Sequence, residues 1–329
     1  MPVDERKVSV VMCTCNGEKY LKEQMESIVN QTFPIYEMII QDDCSTDHTM
    51  DILRNYEKRY AYIQVFRNEK QKGINENFFS ALSRATGDYM AISDQDDIWE
   101  TDKIEQQMAT IGDNWLSACF SKPFAEGDAA VHFDCRKPNL YIERLIYIAS
   151  STPGHTLLIK KSLTELIPDE IQFVQYDHLL SIIAGVYDKI SFLEKVLVHQ
   201  RRHLHAATYN VPVDIQRNMK NYGRYFVRTL SNYMELRNEI GLYFSRMYRL
   251  LESFPEPNSV KAEAQKMALY QSQKGFIACI KLLGLCLKLR KKIFYAEEKN
   301  EFVSIVRALY FPISCSDYFR YLSKKHTEK

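Results

Sequence analysis

The eight cysteines include no Cys-x-x-Cys pair and no His/Cys spacing of the zinc type, which argues against a zinc module. Cys13 and Cys15 stand one residue apart in a strand-like run and so point to opposite faces; reduced thiols in a cytosolic compartment are the simpler account of the set. No stretch reaches the ~20 apolar residues that a bilayer span needs. Met1 to Lys7 is charged and lacks the apolar region of a signal peptide, so a cytoplasmic location is expected. No nucleic-acid recognition module is present, and a net charge of +1 gives no overall bias toward a polyanion. What is present is a globular composition, 46% hydrophobic and 26% charged over 329 residues. That is enough for a real core and for two domains, or one α/β domain with an extension. The near-neutral total hides two unlike halves. Residues 1–210 carry 22 Lys+Arg against 31 Asp+Glu, and residues 211–329 carry 21 against 11. Two regions with different partners are implied.

Val8 to Cys13 is a continuous β-branched and apolar run, as expected of a strand buried on both faces. It ends in the turn Thr14-Cys15-Asn16-Gly17, after which Leu21, Met25, Ile28 and Val29 recur at helical spacing. Met38 to Ile40 predicts a second strand, followed by Gln41-Asp42-Asp43-Cys44-Ser45-Thr46-Asp47, where Ser45 or Thr46 can cap the next helix. Tyr62 to Arg67 predicts a third strand, Asn77 to Ala85 a third helix, and Tyr89 to Ile92 a fourth strand. Strand–loop–helix repeated in this way predicts an α/β fold with a mostly parallel sheet flanked by helices. Ligands of such sheets bind at the carboxyl ends of the strands. Thr14–Gly17, Asp42–Asp43 and Ser93-Asp94-Gln95-Asp96-Asp97-Ile98-Trp99 should therefore converge on one crevice. Three carboxylates in four positions repel one another unless a cation or a cluster of donors holds them, and Mg²⁺ or Mn²⁺ favours such ligands. The bland alternative is an acidic loop capping a helix near Trp99.

These stretches also resemble a known family. Ser9-Val-Val-Met-Cys-Thr-Cys-Asn-Gly-Glu-Lys-Tyr-Leu21, Ser27-Ile-Val-Asn-Gln-Thr32, Ile40-Gln-Asp-Asp-Cys-Ser-Thr-Asp47 and Ala85-Thr-Gly-Asp88 before the acidic loop are similar to family 2 glycosyltransferases, most of all the rhamnosyltransferase-like branch of bacterial surface-polysaccharide enzymes. The resemblance implies a GT-A (Rossmann-like) fold, a nucleotide-diphospho-sugar donor (UDP- or dTDP-linked) and Mn²⁺ or Mg²⁺. It places Thr14 and Asn16 in the nucleotide pocket, and Asp42 as acceptor of the pyrimidine N3–H. Asp94 and Asp96 become the metal-binding Asp-x-Asp pair, with Asp96 the direct ligand. Asp97 is read as the cap of a helix at Trp99; Asp43 is either a turn carboxylate or a base or ribose contact. Cys15 departs from the usual Tyr, and Trp115 to Lys137 resembles nothing in the family.

Pro153-Gly-His-Thr-Leu-Leu-Ile-Lys160 resembles the acceptor-side strand of the family. Gln175-Tyr-Asp-His-Leu-Leu180 resembles the segment carrying the general base, which assigns that role to Asp177; its structural alternative is the N-cap of the apolar helix Leu179 to Val186. His178 is a base neighbour or an interior histidine. His199-Gln-Arg-Arg-His-Leu-His205 could suggest zinc by its three histidines, but no Cys or carboxylate pattern accompanies them. It matches instead the family's Tyr-Arg-x-His stretch, with Gln200 at the Tyr position. Arg201 and His203 are then expected on the diphosphate or, for His203, the metal, a guanidinium being suited to phosphate oxygens.

The expected domains are a catalytic region, 1–211, with a nucleotide-sugar half of about 1–110 and an acceptor half of about 111–211, and a basic helical region, 212–329. In the latter, Gly275 to Leu289 is apolar and runs into Arg290-Lys291-Lys292. It reads either as an interfacial membrane helix or as a helix buried against the rest of the chain. The expectation is an inverting, metal-dependent glycosyltransferase acting on a growing, lipid-linked saccharide at the inner face of the cell membrane, without nucleic acid. The Tyr-rich helices after 212 offer a homodimer surface. A catalytically silent nucleotide- or glycan-binding scaffold is the other reading. A phosphatase of the haloacid dehalogenase type is set aside, because its Asp-x-Asp follows the first strand.

Overall fold

The computed structural model describes residues 6–125, 131, 133–148, 152–168, 173–203, 222–255, 259–294, 300–316 and 319. The chain forms two compact units. The first comprises Met1–Cys135, Thr152–Ala184 and Lys189–Val211, and the second Arg136–Ser151, Gly185–Asp188 and Pro212–Lys329. Two short segments that a cut at 211 assigns to the first half thus cluster with the second.

In chain order the elements are β1 (Val8–Thr14), α1 (Leu21–Val29), β2 (Glu37–Asp42), α2 (Thr49–Arg59), β3 (Ile63–Arg67), α3 (Ile74–Arg84), β4 (Tyr89–Ser93), β5 (Ile98–Trp99), α4 (Lys103–Thr110), β6 (Leu116–Ala125), α5 (Ile142–Leu145), β7 (Leu158–Lys160), α6 (Lys161–Thr164), α7 (Tyr176–Val186), β8 (Ile190–Arg202), α8 (Tyr222–Glu235), α9 (Arg237–Ser253), α10 (Ala262–Ser272), α11 (Phe276–Lys288), α12 (Arg290–Ile293) and α13 (Glu301–Ser314). The eight strands make one sheet in the order β3-β2-β1-β4-β7-β6-β8-β5. β3, β2, β1 and β4 are mutually parallel, while β7 and β5 join antiparallel. The fold class is the expected one: α/β, mostly parallel, with helices after it.

The central strands carry no inward–outward alternation because helices cover both faces; β2 and β4 are buried throughout. β3, at the sheet edge, alternates buried Ile63 and Val65 with exposed Gln64. α1 turns Leu21, Met25 and Ile28 into the core, and α3 starts from Gly73 at φ +82°, a conformation strained for any side chain. The parallel register aligns Thr14 with Asp42 and Met12 with Ser93, so the three strand ends reach one edge together.

Two local expectations fail. No helix starts at Trp99: Ile98 and Trp99 are a short strand paired with His199 and Val198 of β8, and α4 begins only after Asp102. Nor do Ser45 and Thr46 cap α2, whose first-turn amide, on Thr49, is held by Asp47. Met219 and His205 lie outside the described residues.

Candidate active site

Asp42 closes β2 with its carboxylate wholly buried. Its Oδ2 accepts from Thr14 Oγ1 at 2.9 Å and Ser45 Oγ at 2.5 Å, its Oδ1 accepts from Ser45 N at 2.9 Å, and Arg67 Nε lies 3.7 Å away. Asn16 takes a left-handed φ of +50°, and its side-chain oxygen accepts from Thr46 N at 2.8 Å. Asp43 accepts from Asn68 Nδ2, Lys72 N and Gly73 N, each at 2.8 Å, and so holds the approach to α3.

The acidic loop is tied at both ends. Gln95 grips β1's exit, its Oε1 accepting from Cys15 N at 2.9 Å while Nε2 donates to Cys15 O at 3.1 Å. A β-carbon on Gly17 would meet Gln95 Oε1 at 2.4 Å, so a side chain there would have to push this grip aside. At the other end Arg201 donates from its main-chain N to Asp97 Oδ1 at 3.0 Å, and from Nε to Asp96 O at 3.0 Å. Its Nη2 reaches Glu23 Oε2 at 2.5 Å, and the guanidinium lies over the Tyr20 and Phe124 rings. Its main-chain N and two of its guanidinium nitrogens are therefore engaged by the protein. His203 Nε2 stands 3.0 Å from Asp96 Oδ2, beside the Tyr20 ring. Burial raises the Asp96 carboxyl's pKa, Asp94 adds to the rise, and His203 opposes it. His199 faces Glu100 instead, at 2.6 Å, so the two described histidines of the basic stretch do not share a site.

Asp97 caps nothing. It is 2% exposed, and its Oδ2, without a hydrogen-bond partner, lies 3.7 Å from Nδ1 of His155, a residue missed by the sequence reading. The same nitrogen is 3.3 Å from Asp94 Oδ2, and His155 Nε2 is 2.9 Å from Ser121 Oγ. Burial pushes the Asp97 carboxyl's pKa up, and the charge of His155 beside it pulls it back down. Burial draws His155 down, but Asp97, Asp94 and Asp96 outweigh it and carry the imidazole up to about 9. Three carboxylates around one imidazole favour the imidazolium.

Asp177 lies in the first turn of α7 rather than at a cap before it. Its Oδ2 accepts from Gly154 N at 3.1 Å and its Oδ1 from His178 N at 2.7 Å. Burial raises it to about 6, over the lowering effect of those two amides. Gly154 has no room for a side chain: a β-carbon would stand 2.0 Å from the hydroxyl of buried Tyr176, which stacks on Phe78. His178 is interior.

Oxygen donors and an imidazole meet at Asp94, Asp97 and His155, whose ligand atoms lie within 4.8 Å of one another; the imidazole would ligate a cation only by giving up the proton that the three carboxylates favour. The buried, unpartnered Asp97 Oδ2 fits a hard divalent ion, and Asp96 with His203 stands alongside. Outside the loop, buried Lys103 donates to Gln107 at 3.0 Å and lies over the Trp99 ring, supporting β5 from below.

The family model "Glycosyl transferase family 2" matches residues 9–160. A glycosyltransferase of Methanocaldococcus jannaschii, MJ1057, is 32% identical over 60% of this chain and 72% of its own length. The chain belongs to the family 2 glycosyltransferases. Of the other relatives, TuaG of Bacillus subtilis, named as a candidate teichuronic acid biosynthesis glycosyltransferase, is 44% identical over 31% of this chain, which spans 40% of TuaG's length. The dTDP-rhamnosyl transferase RfbG of Shigella flexneri is 30% identical over 46% of this chain and 54% of its own. The folds of S. aureus TarS 1–349 with UDP-GlcNAc (TM-score 0.58, 16% identity, 96% and 92% covered) and the Pyrobaculum calidifontis mannosyltransferase PcManGT with GDP-Man and Mn²⁺ (0.51, 16%, 92% and 86%) are similar. They support the GT-A architecture.

Proposed function

We propose that this family 2 member is an inverting glycosyltransferase, dependent on Mn²⁺ or Mg²⁺, that moves a sugar from a UDP- or dTDP-linked donor to a hydroxyl of a growing, lipid-linked saccharide of a bacterial surface polysaccharide. The observation that carries the reading is the meeting of a buried carboxylate, Asp177, with the Asp94–Asp97 loop across Gly154–His155. The name of TuaG, with its teichuronic acid, favours the polysaccharide setting, and that of RfbG a dTDP-linked donor.

Thr14 and Asn16 line the floor beneath the nucleotide, with Asp42 and Asp43 shaping it from behind. Asp94, Asp97 and His155, or Asp96 with His203, are the residues to hold the cation. When bound, a divalent ion neutralises the charge that grows on a departing diphosphate. Asp177 takes the proton of the acceptor hydroxyl as that oxygen attacks the sugar carbon from the face opposite the diphosphate. A carboxylate pKa near 6 suits a base working close to neutral pH. Arg201 keeps Asp96 and Asp97 in place and adds its positive charge to the same region. Action at the inner face of the cell membrane follows from a lipid-linked acceptor.

Transfer is measured with UDP- and dTDP-sugars, with Mn²⁺, with Mg²⁺ and after chelation. Activity that vanishes on chelation and returns with the metal, together with metal binding weakened at least about tenfold in Asp94→Asn, is the expected result. Full activity in both Asp94→Ala and Asp96→Ala would remove the metal role. Donor binding without turnover on any acceptor would favour the scaffold.

A further inference from the structure

Among the described residues, eleven of the seventeen exposed large apolar side chains lie on three helices of the second unit, α8, α11 and α13. On α13, Phe302, Ile305, Val306 and Leu309 recur at helical spacing on the exposed side, while Ser304, Ala308, Phe311 and Pro312 fill the buried side. Solvent-facing stripes at this spacing are ordinarily polar. α11 adds Phe276, 80% exposed, and Ile277, 70%; α8 adds Met234, 69%. α13 packs against both α11 and α8, and Phe226 of α8 meets the Tyr310 ring. The basic cluster after α11 is partly engaged: Arg290 pairs with Glu301 and Lys292 with Glu143. Lys288 likewise pairs with Glu263 of α10, at 2.9 Å. Even so, α8, α11, α12 and α13 carry eight Lys/Arg against two Asp/Glu, and Arg224, Lys281 and Lys291 are exposed.

We propose that the exposed apolar side chains of α8, α11 and α13 are a surface that lies on an anionic lipid bilayer. Exposed apolar area of this extent marks an interaction site. The surplus of positive charge chooses the occupant. Pairing with a second copy would bring two basic faces together, whereas acidic lipid headgroups attract them. No helix among the described residues is long and apolar enough to cross a membrane, so the contact is in-plane, with apolar side chains in the headgroup region and Lys and Arg among the phosphates. The sequence reading offered membrane contact through the basic C-terminal helices and named Gly275–Lys292 among them. The structure moves the weight to α13, since α11 buries Ala278, Leu282 and Cys286 and exposes mainly its first turns.

For its purpose the proposal rests on the lipid-linked acceptor proposed above; its test needs no transfer. The full chain is mixed with vesicles of phosphatidylcholine, with and without phosphatidylglycerol, and sedimented at low and at physiological ionic strength. Binding should require phosphatidylglycerol and weaken with salt. The Phe302→Ser/Ile305→Ser variant should bind at least about tenfold more weakly, and Lys281→Glu/Lys291→Glu should lose the salt-sensitive part. Tyr36→Ser, which removes an exposed ring of the first unit, should bind as the wild type does. Transfer to a water-soluble acceptor, measured in parallel, should be equal in all of them. Wild-type binding by Phe302→Ser/Ile305→Ser, or no binding to phosphatidylglycerol, overturns the proposal. So does a dimer in sedimentation velocity that becomes monomeric in that variant, which would give the face to a second copy.

Discussion

Removing the His155 imidazole leaves Asp97 buried with no cation opposite its free oxygen. His155→Ala should lose about 3 kcal/mol in urea unfolding at neutral pH, and Asp97→Asn in the same chain should restore most of it. The imidazole binds its proton more tightly in the folded chain, with its pKa raised from 6.5 to about 9. Its contribution is therefore complete below about 6.5 and is lost as pH climbs through about 9; urea midpoints across that window should fall in the wild type and change less in His155→Gln. Asp177→Asn should lower kcat by about a thousandfold with donor affinity retained. In the wild type, kcat/KM should decline below a pH of about 6, where Asp177 gains a proton. The carboxylates were legible because each follows a strand or opens a helix in a recognisable pattern. His155 was not, because Ser121 and Asp97 reach it only through the folded sheet. Arg201 was legible as a charge, but the sequence carried no sign that Glu23 would engage it.

At the scale of elements, Gly154 and Gly284 should respond in opposite ways to the same substitution. Gly154→Ala pushes a β-carbon into the Tyr176 hydroxyl, and stacking on Phe78 prevents the ring from yielding. A loss of about 2 kcal/mol in thermal or urea unfolding should follow, with a fall in transfer as Gly154 N leaves Asp177. Gly284→Ala, inside α11 with nothing within 4 Å, should gain about 0.5–1 kcal/mol. The first four strands and three helices could be read from apolar runs and helical spacing because both signals are local. β5 could not: two residues make no period, and what turns them into a strand is β8, about a hundred positions later. Asp97 was assigned a cap for the same reason.

At the scale of the whole chain, the change in charge near residue 211 marked the start of the helical region. It carried no sign of Arg136–Ser151 and Gly185–Asp188, which cluster with the second unit; the first is tied there by Asn139 and Arg144 donating to main-chain oxygens near α12 and by the Lys292–Glu143 pair. Arg201 and His203 reach the acidic loop over separations of 104 to 107 residues. That distance sets an order of events during synthesis. β1 to β4 can pair as soon as they are made, and Gln95 can grip Cys15 with them, but the Asp96–Asp97 end of the loop is not held until β8 has emerged and docked. Closing so long a segment carries an entropic cost that local pairing does not. A refolding chain should regain its far-ultraviolet helix and sheet signal before it regains affinity for a nucleotide-sugar, and a chain stopped before Ile190 should regain only the first.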